Sequence, residues 1–182
     1  MQVRRIVTGH AADGKSIFVS DAPTPRSTAF KHVPGFVTTL VWETRPGASV
    51  PASKGDPSLE APSWVPNPGG TNLMFITFPP DSVMMSPGFD PAAAGGEYVQ
   101  VLPGLAEKFE RDHPGMHTTD TVDYGVLIDG EVHLELDDGQ TRKLAPRDVV
   151  IQNGTRHAWR NKSERPATML FVLIGAARRQ GA

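Results

Sequence analysis

Cysteine is absent from the 182 residues. That removes disulfides, thiolate metal sites and cysteine nucleophiles together. No apolar run approaches the roughly 18 residues that a membrane-crossing helix needs, so no membrane partner is expected. No sign of charge dominates: 18 basic residues face 20 acidic ones, for a net charge of -2, and a nucleic-acid surface is not expected. The opening Met1-Gln2-Val3-Arg4-Arg5-Ile6 has no apolar stretch behind its basic pair. A secretory leader is therefore not expected, and a cytoplasmic location is. With thiols missing, any metal must be held by carboxylates and by some of only 6 histidines. Glycine and proline are plentiful, at 18 and 17 residues, which suits short strands and many turns and not a helical bundle.

The first third reads as short β segments. Arg4 to Thr8 and Ser16 to Ser20 are strand-like, and Asp13-Gly14 between them is a turn signal. Phe36 to Trp42 is rich in β-branched and aromatic residues and reads as a strand. Arg45 to Gly70 carries six prolines and reads as a long loop. Leu73 to Phe78 is a further strand, stopped by Pro79-Pro80. Asp81 to Gly96 is expected to be loop, and Leu102 to Arg111 a short helix, because Leu102, Leu105 and Phe109 fall on one helical face. Residues beyond Ala176 read as a tail.

The last third is denser in strands. Val122 to Ile128, Asp129-Gly130, and Glu131 to Leu136 read as a hairpin with a two-residue turn. Arg142 to Leu144, Val149 to Gln152, Arg156 to Asn161 and Thr168 to Ile174 follow at short intervals, the spacing of an antiparallel sandwich or barrel. Asp137-Asp138-Gly139 is a turn that lacks the ligand spacing of a calcium loop. Residues 113–175 supply too few strands to close a barrel alone. Strands within residues 1–80 are expected to complete it, giving a single domain over residues 1–182.

Alternation of side chains along a strand places His117, Thr119 and Asp123 on one side. The same face carries Gly125 and Leu127, so it is the inner one, while Tyr124 and His133 point outward. An inward aspartate needs a cation or hydrogen-bond donors. His157, Trp159 and Asn161 share a face in the second segment. A barrel interior would bring His157 opposite His117 and Asp123. Two imidazoles and one carboxylate are the ligand type of non-haem Fe(II), and Zn, Mn or Ni accept the same set. Trp159 is either core or pocket wall. Arg156 is a candidate anion contact or an edge charge, and His113 is a further candidate donor whose direction Pro114-Gly115 leaves open. His10 and His32 read as surface or loop, and Arg178-Arg179 as a basic tail end.

The stretch from His117 to Asp123, followed six residues later by Gly130, resembles the first cupin motif, G(x)5HxH(x)3-4E(x)6G. His117 matches the first His, Asp123 stands at the Glu and Gly130 at the closing Gly. Gly154-Thr155-Arg156-His157-Ala158-Trp159-Arg160-Asn161 resembles the second motif, G(x)5PxG(x)2H(x)3N, at its second Gly, its His and its Asn. The chain is similar to small single-domain bacterial cupins of unassigned function. The resemblance implies an all-β fold, the double-stranded β-helix or jelly-roll barrel, here with a short helix and long loops. Thr119 replaces the second His, Asp123 the Glu, Gln152 the Pro and Arg147 the leading Gly. A three-ligand site of His117, Asp123 and His157 is therefore expected and not the common four-ligand one. Thr119, Trp159, Asn161 and Arg156 are candidate pocket residues.

The resemblance implies a divalent metal, Fe(II) before Zn, Mn or Ni, and a small-molecule substrate. The function expected from it is a metal-dependent oxygenase. The alternatives are a non-redox lyase, isomerase or cyclase, and a ligand-binding module without turnover. A homodimer is also expected, from related cupins and from apolar β segments such as Ile17-Phe18-Val19 that need cover.

Overall fold

The computed structural model describes residues 2–51 and 55–179. Residues 52–54 of the expected loop and 180–182 of the expected tail lie outside the described residues. Among the described residues, eleven strands and two α-helices follow one another. The strands are β1 (Arg4–His10), β2 (Ser16–Pro23), β3 (Arg26–Ala29), β4 (Val37–Thr44), β5 (Thr71–Phe78), β6 (Thr121–Asp129), β7 (Val132–Glu135), β8 (Thr141–Leu144), β9 (Val149–Asn153), β10 (Ala158–Arg160) and β11 (Ala167–Gly175). The helices are α1 (Pro57–Glu60) and α2 (Pro91–Val101).

Three sheets form, all antiparallel. The largest has the order β3-β4-β5-β11-β6-β9, a smaller one β10-β7-β8, and β1-β2 pair by themselves. The six-stranded sheet joins strands from both ends of the sequence, because β5 pairs with β11 along its full length, from Thr71↔Ile174 to Phe78↔Ala167. Side-chain alternation does the rest. On β6, Thr121, Asp123, Gly125 and Leu127 are buried, while Tyr124 and Ile128 are exposed. Met74 and Ile76 of β5 and Met169, Phe171 and Leu173 of β11 join Leu127 in one core, with Val132 and Leu144 of the smaller sheet packed against them. Two apolar inner faces meeting in this way produce the all-β jelly-roll arrangement. No helix among the described residues is long and apolar enough to cross a membrane.

Three expectations are corrected. The first is the hairpin at Asp129-Gly130. β7 does not pair with β6; it pairs with β10 and β8. Both edges of β6 are already taken, by β11 and β9, so the chain after Gly130 must cross to the other sheet. Gly130 makes the corner with φ +85°, pressed against Ala167 and the Pro166 carbonyl. The inward set on β6 survives this correction, because alternation along one strand does not depend on which strand is its neighbour.

The second is the helix. It spans Pro91–Val101, starting inside the segment expected to be loop and ending just before the expected helix, and does not span residues 102–111. Asp90 caps it by accepting from the backbone N–H groups of Ala92 and Ala93, with Pro91 in the first turn, the arrangement both residue types favour. Leu102, Leu105 and Phe109 do turn inward, but Pro103 and Gly104 (φ +81°) break the chain there, and only a 3-10 turn, Ala106–Lys108, follows. The third concerns the ends of the segments. The strand read over Arg156 to Asn161 shortens to Ala158–Arg160, and the tail beyond Ala176 is anchored through Arg178 (below).

The Gly130 corner carries a testable consequence. A Cβ there would lie 2.7 Å from the Ala167 Cα and 2.8 Å from the Pro166 carbonyl oxygen, on a backbone conformation that disfavours L side chains. Gly130→Ala is expected to cost about 3 kcal/mol in urea unfolding, from strain and overpacking together. A midpoint within error of wild type would show that the corner relaxes freely.

Candidate metal centre

The centre is built on a short reciprocal bridge. The His117 N–H donates to the His157 carbonyl at 2.9 Å, and the His157 N–H to the His117 carbonyl at 3.0 Å. The bridge lies outside the named strands. It joins the segment leading into β6 to the segment leading into β10, the two stretches that carry the motif histidines. Their rings lie 4.2 Å apart between centroids, inclined at 49°. Both side chains are buried.

Each imidazole is held in one tautomer by a backbone carbonyl two residues before it. His117 Nδ1 lies 3.1 Å from the Gly115 oxygen, and His157 Nδ1 lies 2.9 Å from the Thr155 oxygen. A carbonyl can only accept, so both Nδ1 atoms carry the proton and both Nε2 atoms keep a lone pair. This is the outer-shell pattern of metal-binding histidine. Burial holds both rings neutral at ordinary pH. It lowers the His117 pKa, against a raising effect of the Gly115 hydrogen bond, and pushes His157 down to about 3 with help from the neighbouring His117.

The Thr155 carbonyl is itself fixed. Gln152 Nε2 donates to it at 3.1 Å and also contacts the Thr155 hydroxyl. Gln152 is buried and stands opposite Asp123 in the β6–β9 register. Where the second cupin motif has Pro, this chain thus has an amide that braces the His157 turn.

Asp123 is buried on the inner face of β6, and its Oδ1 has no hydrogen-bond partner. Burial pushes its carboxyl up to about 6, opposed by the Thr121 hydroxyl. The donor chemistry therefore suits a divalent cation: two neutral imidazoles and an orphaned carboxylate oxygen on the inner wall. The three are not drawn together as one ready-made cluster. Among the described residues no three His, Asp or Glu side chains are grouped closely enough to hold an ion. His117 and His157 meet; Asp123 remains on β6.

The other candidate residues are placed as follows. Trp159 is beside the pair, its ring 5.5 Å from His157 and 5.4 Å from Phe171. Thr119 is buried, and its hydroxyl is 2.7 Å from that of Thr121. Asn161 is fully buried, and its amide is occupied in shaping a loop: Nδ2 donates to the carbonyls of Phe78 and Arg165, and Oδ1 accepts from Ser163. Arg156 points away from His157 and is bracketed by carboxylates, Glu110 at 2.6 and 2.7 Å and Asp137 at 2.6 Å. It lines an outer groove of about 510 Å³ together with Arg160 and Glu135. His113 lies on the same groove, exposed, 3.3 Å from Glu110. His133 is half-buried, with an unpartnered Nδ1, where the sequence predicts a solvent-facing residue.

Two aromatic residues complete the wall and were not singled out from the sequence as site residues. The Phe109 ring is 4.7 Å from His117, and Tyr98 of α2 packs on Phe109 at 5.7 Å. Burial raises the Tyr98 phenol above its ordinary value. The inward repeat through Phe109 was the available signal. Tyr98 has none, because it falls between the expected loop and the expected helix.

The family model for the cupin domain matches residues 98–173, which takes in both histidines and Asp123. A protein named for the oryzines biosynthesis cluster of Aspergillus oryzae (protein J) is 30% identical over 178 residues, 96% of this chain and 84% of that protein. Phomopsin biosynthesis cluster protein C' of Diaporthe leptostromiformis is 48% identical over 62 residues, 34% of this chain and 33% of that protein. A cupin-domain-containing oxidoreductase of Neurospora crassa, srdB, is 45% identical over 60 residues, 32% of this chain and 31% of that protein. The matched stretch is thus about a third of the length of the latter two relatives.

The buried Asp123 carboxyl gives stability a defined pH dependence. Its folded pKa of about 6 lies above the ordinary 3.8, so the folded state binds more protons between those values. Stability contributed by this group is present below about pH 4 and is lost as pH rises through 6. At about 1.4 kcal/mol per pK unit the loss approaches 3 kcal/mol. In metal-free protein, Asp123→Asn should therefore gain up to about 3 kcal/mol over wild type at pH 8 relative to pH 4, read by urea unfolding. An equal difference at both pH values would place the Asp123 charge in contact with solvent or a partner.

Proposed function

The chain belongs to the cupin domain family, and from that premise we propose that it is a metal-dependent oxidoreductase acting on a small organic molecule. The observation that carries the reading is the pair of buried, neutral imidazoles whose Nδ1 protons are both given to backbone carbonyls. That arrangement leaves two Nε2 lone pairs in an apolar interior, which suits a cation better than it suits packing. His117 and His157 would hold the ion, with the orphaned Asp123 carboxylate as third donor.

When bound, such an ion supplies electrophilic activation of a substrate oxygen or, as Fe(II), one-electron chemistry with O2. The chain's own residues do the remainder. Gly115 and Thr155 fix the ring orientations. Phe109, Tyr98 and Trp159 keep water from the rings and offer an apolar wall to an aromatic or carbonyl-bearing compound. The names of relatives support the direction: one is a cupin-domain oxidoreductase and others belong to biosynthesis clusters. A substrate that is an intermediate of small-molecule biosynthesis fits both.

Non-redox catalysis on the same site is the second reading, favoured by one observation. Both rings are held neutral by burial, and neutral imidazoles also bind Zn and Mn. We propose further that residues 1–182 act as one domain, because the six-stranded sheet mixes strands from both ends of the chain.

Two measurements test this. His117→Ala and His157→Ala should each lower metal affinity by more than roughly 100-fold, beyond the loss typical of an outer-shell partner, while leaving the far-ultraviolet circular dichroism unchanged. Full metal content in both variants, by elemental analysis, would remove the pair from the site. Apoprotein reconstituted with Fe(II) or Zn in parallel, screened with aromatic and carbonyl compounds at an oxygen electrode, separates the two chemistries. Oxygen uptake with Fe(II) alone supports the oxidoreductase, and turnover with Zn without oxygen uptake supports the lyase reading.

A further inference from the structure

We propose that Arg178, from the C-terminal segment, is a positioning residue that sets the spacing of His117 and His157. The segment after β11 runs back across the loops that carry both histidines. The Ala176 N–H donates to the Asp120 carbonyl at 2.9 Å. Two residues on, the Arg178 guanidinium spans both loops. Nε donates to the Asp120 carboxylate at 2.5 Å, and Nη2 donates to the Thr119 carbonyl at 2.9 Å and to the Gly154 carbonyl at 3.1 Å.

Thr119 is two residues after His117, and Gly154 is three before His157. One nitrogen therefore ties the His117 loop to the His157 loop. The geometry around it leaves no slack. Gly154 has φ +61°, and a Cβ on it would lie 3.2 Å from the Thr119 carbonyl oxygen, 3.3 Å from that of Thr121 and 3.4 Å from the guanidinium itself. The two loops thus touch through backbone at Gly154, and the guanidinium closes the remaining side of that contact.

The reciprocal backbone bonds of the histidines tie these loops at one end, and the β6–β9 ladder, which begins at Val122↔Asn153, ties them at the other. Between these two ends residues 118–121 and 154–156 face each other, and Arg178 ties them there, next to the histidine bonds. Arg178 touches neither ring. It acts through backbone carbonyls, and its planar fork suits a bridge between two acceptors and a carboxylate in a way that the single ammonium of lysine does not.

The test reads the bridge directly. In metal-free Arg178→Met, hydrogen exchange at the His117 and His157 amides should accelerate tenfold or more, and the ring-to-ring nuclear Overhauser contacts should weaken. Amides of β5 and β11 should exchange as in wild type. Unchanged exchange at the two histidine amides overturns the proposal, and so does acceleration spread equally over β5 and β11, which would mark general destabilisation. Arg178→Lys keeps a positive charge beside Asp120. It should behave as the Met variant, and wild-type behaviour would show that attraction to Asp120 suffices and overturn the bridging role. The arm that depends on the proposed function is a Zn(II) titration, in which Arg178→Met should raise the Kd at least tenfold. If wild-type protein binds no Zn(II), the metal reading fails while the exchange result still decides the role of Arg178.

Discussion

The two backbone bonds between His117 and His157 are the constraint on which the centre depends. Each strand-to-strand contact elsewhere in the sheets is one of a ladder. This one lies outside any named strand, and yet it brings together the two buried histidines. The braces gather around it for that reason. Gly115 and Thr155 hold the rings, Gln152 holds Thr155, and Arg178 joins the loops on the far side. On the near side, the bridge from Phe109 to His117 continues the same backbone contact outward.

Burying polar groups here has a recognisable energetic signature. A packed core tolerates an imidazole if its donor is satisfied, and both Nδ1–H groups are. It tolerates a carboxylate poorly, and Asp123 has one oxygen with no partner and a pKa displaced toward the protonated form. A group that costs stability at neutral pH while standing on the same inner wall as two neutral imidazoles is unfavourable as packing alone, and that cost is the ground for the proposed cation. The distribution of charge around the centre agrees. Arg156 and Arg160 are turned outward and neutralised by Glu110, Asp137 and Glu135, so no fixed positive charge competes for the inner carboxylate.

Much of this was legible in the sequence, and the parts that were not share a cause. Period-two alternation placed Asp123 and Leu127 on the buried face of β6, because alternation is a property of one strand, and the same parity carried back to Thr119 and His117, which are buried in the segment before it. The neighbour of that strand was misread, since Asp129-Gly130 signals a turn but cannot report that β11 and β9 already occupy both edges of β6. The helix at Pro91–Val101 had its start written in Asp90-Pro91, but the Ala-Gly run after it obscured the reading. Of the candidate site residues, His117, His157 and Trp159 do come together. Asn161 is occupied in loop bonds and Arg156 in outer ion pairs, because a shared motif position does not say which polar group will need each side chain. Arg178 carried no local signal at all: its partners are 58 and 24 residues away.

The same comparison explains why the departures from the cupin motifs are coherent and not merely degenerate. Replacing the second motif histidine by Thr119 removes a donor, and its hydroxyl is absorbed by Thr121. Replacing the motif proline by Gln152 gives up a rigid turn residue. The amide restores that rigidity by bonding Thr155, and through it the His157 ring. The chain thus has fewer donors than the common four-ligand set, and the two imidazoles it keeps are each fixed by a backbone carbonyl. A centre with few protein donors leaves more coordination positions for substrate or O2. With Phe109, Tyr98 and Trp159 as its wall, the interior around those positions is apolar and aromatic. The substitutions that weaken the match to the family pattern thus carry hydrogen bonds of their own, Thr119 with Thr121 and Gln152 with Thr155, and the second of these reaches the His157 ring.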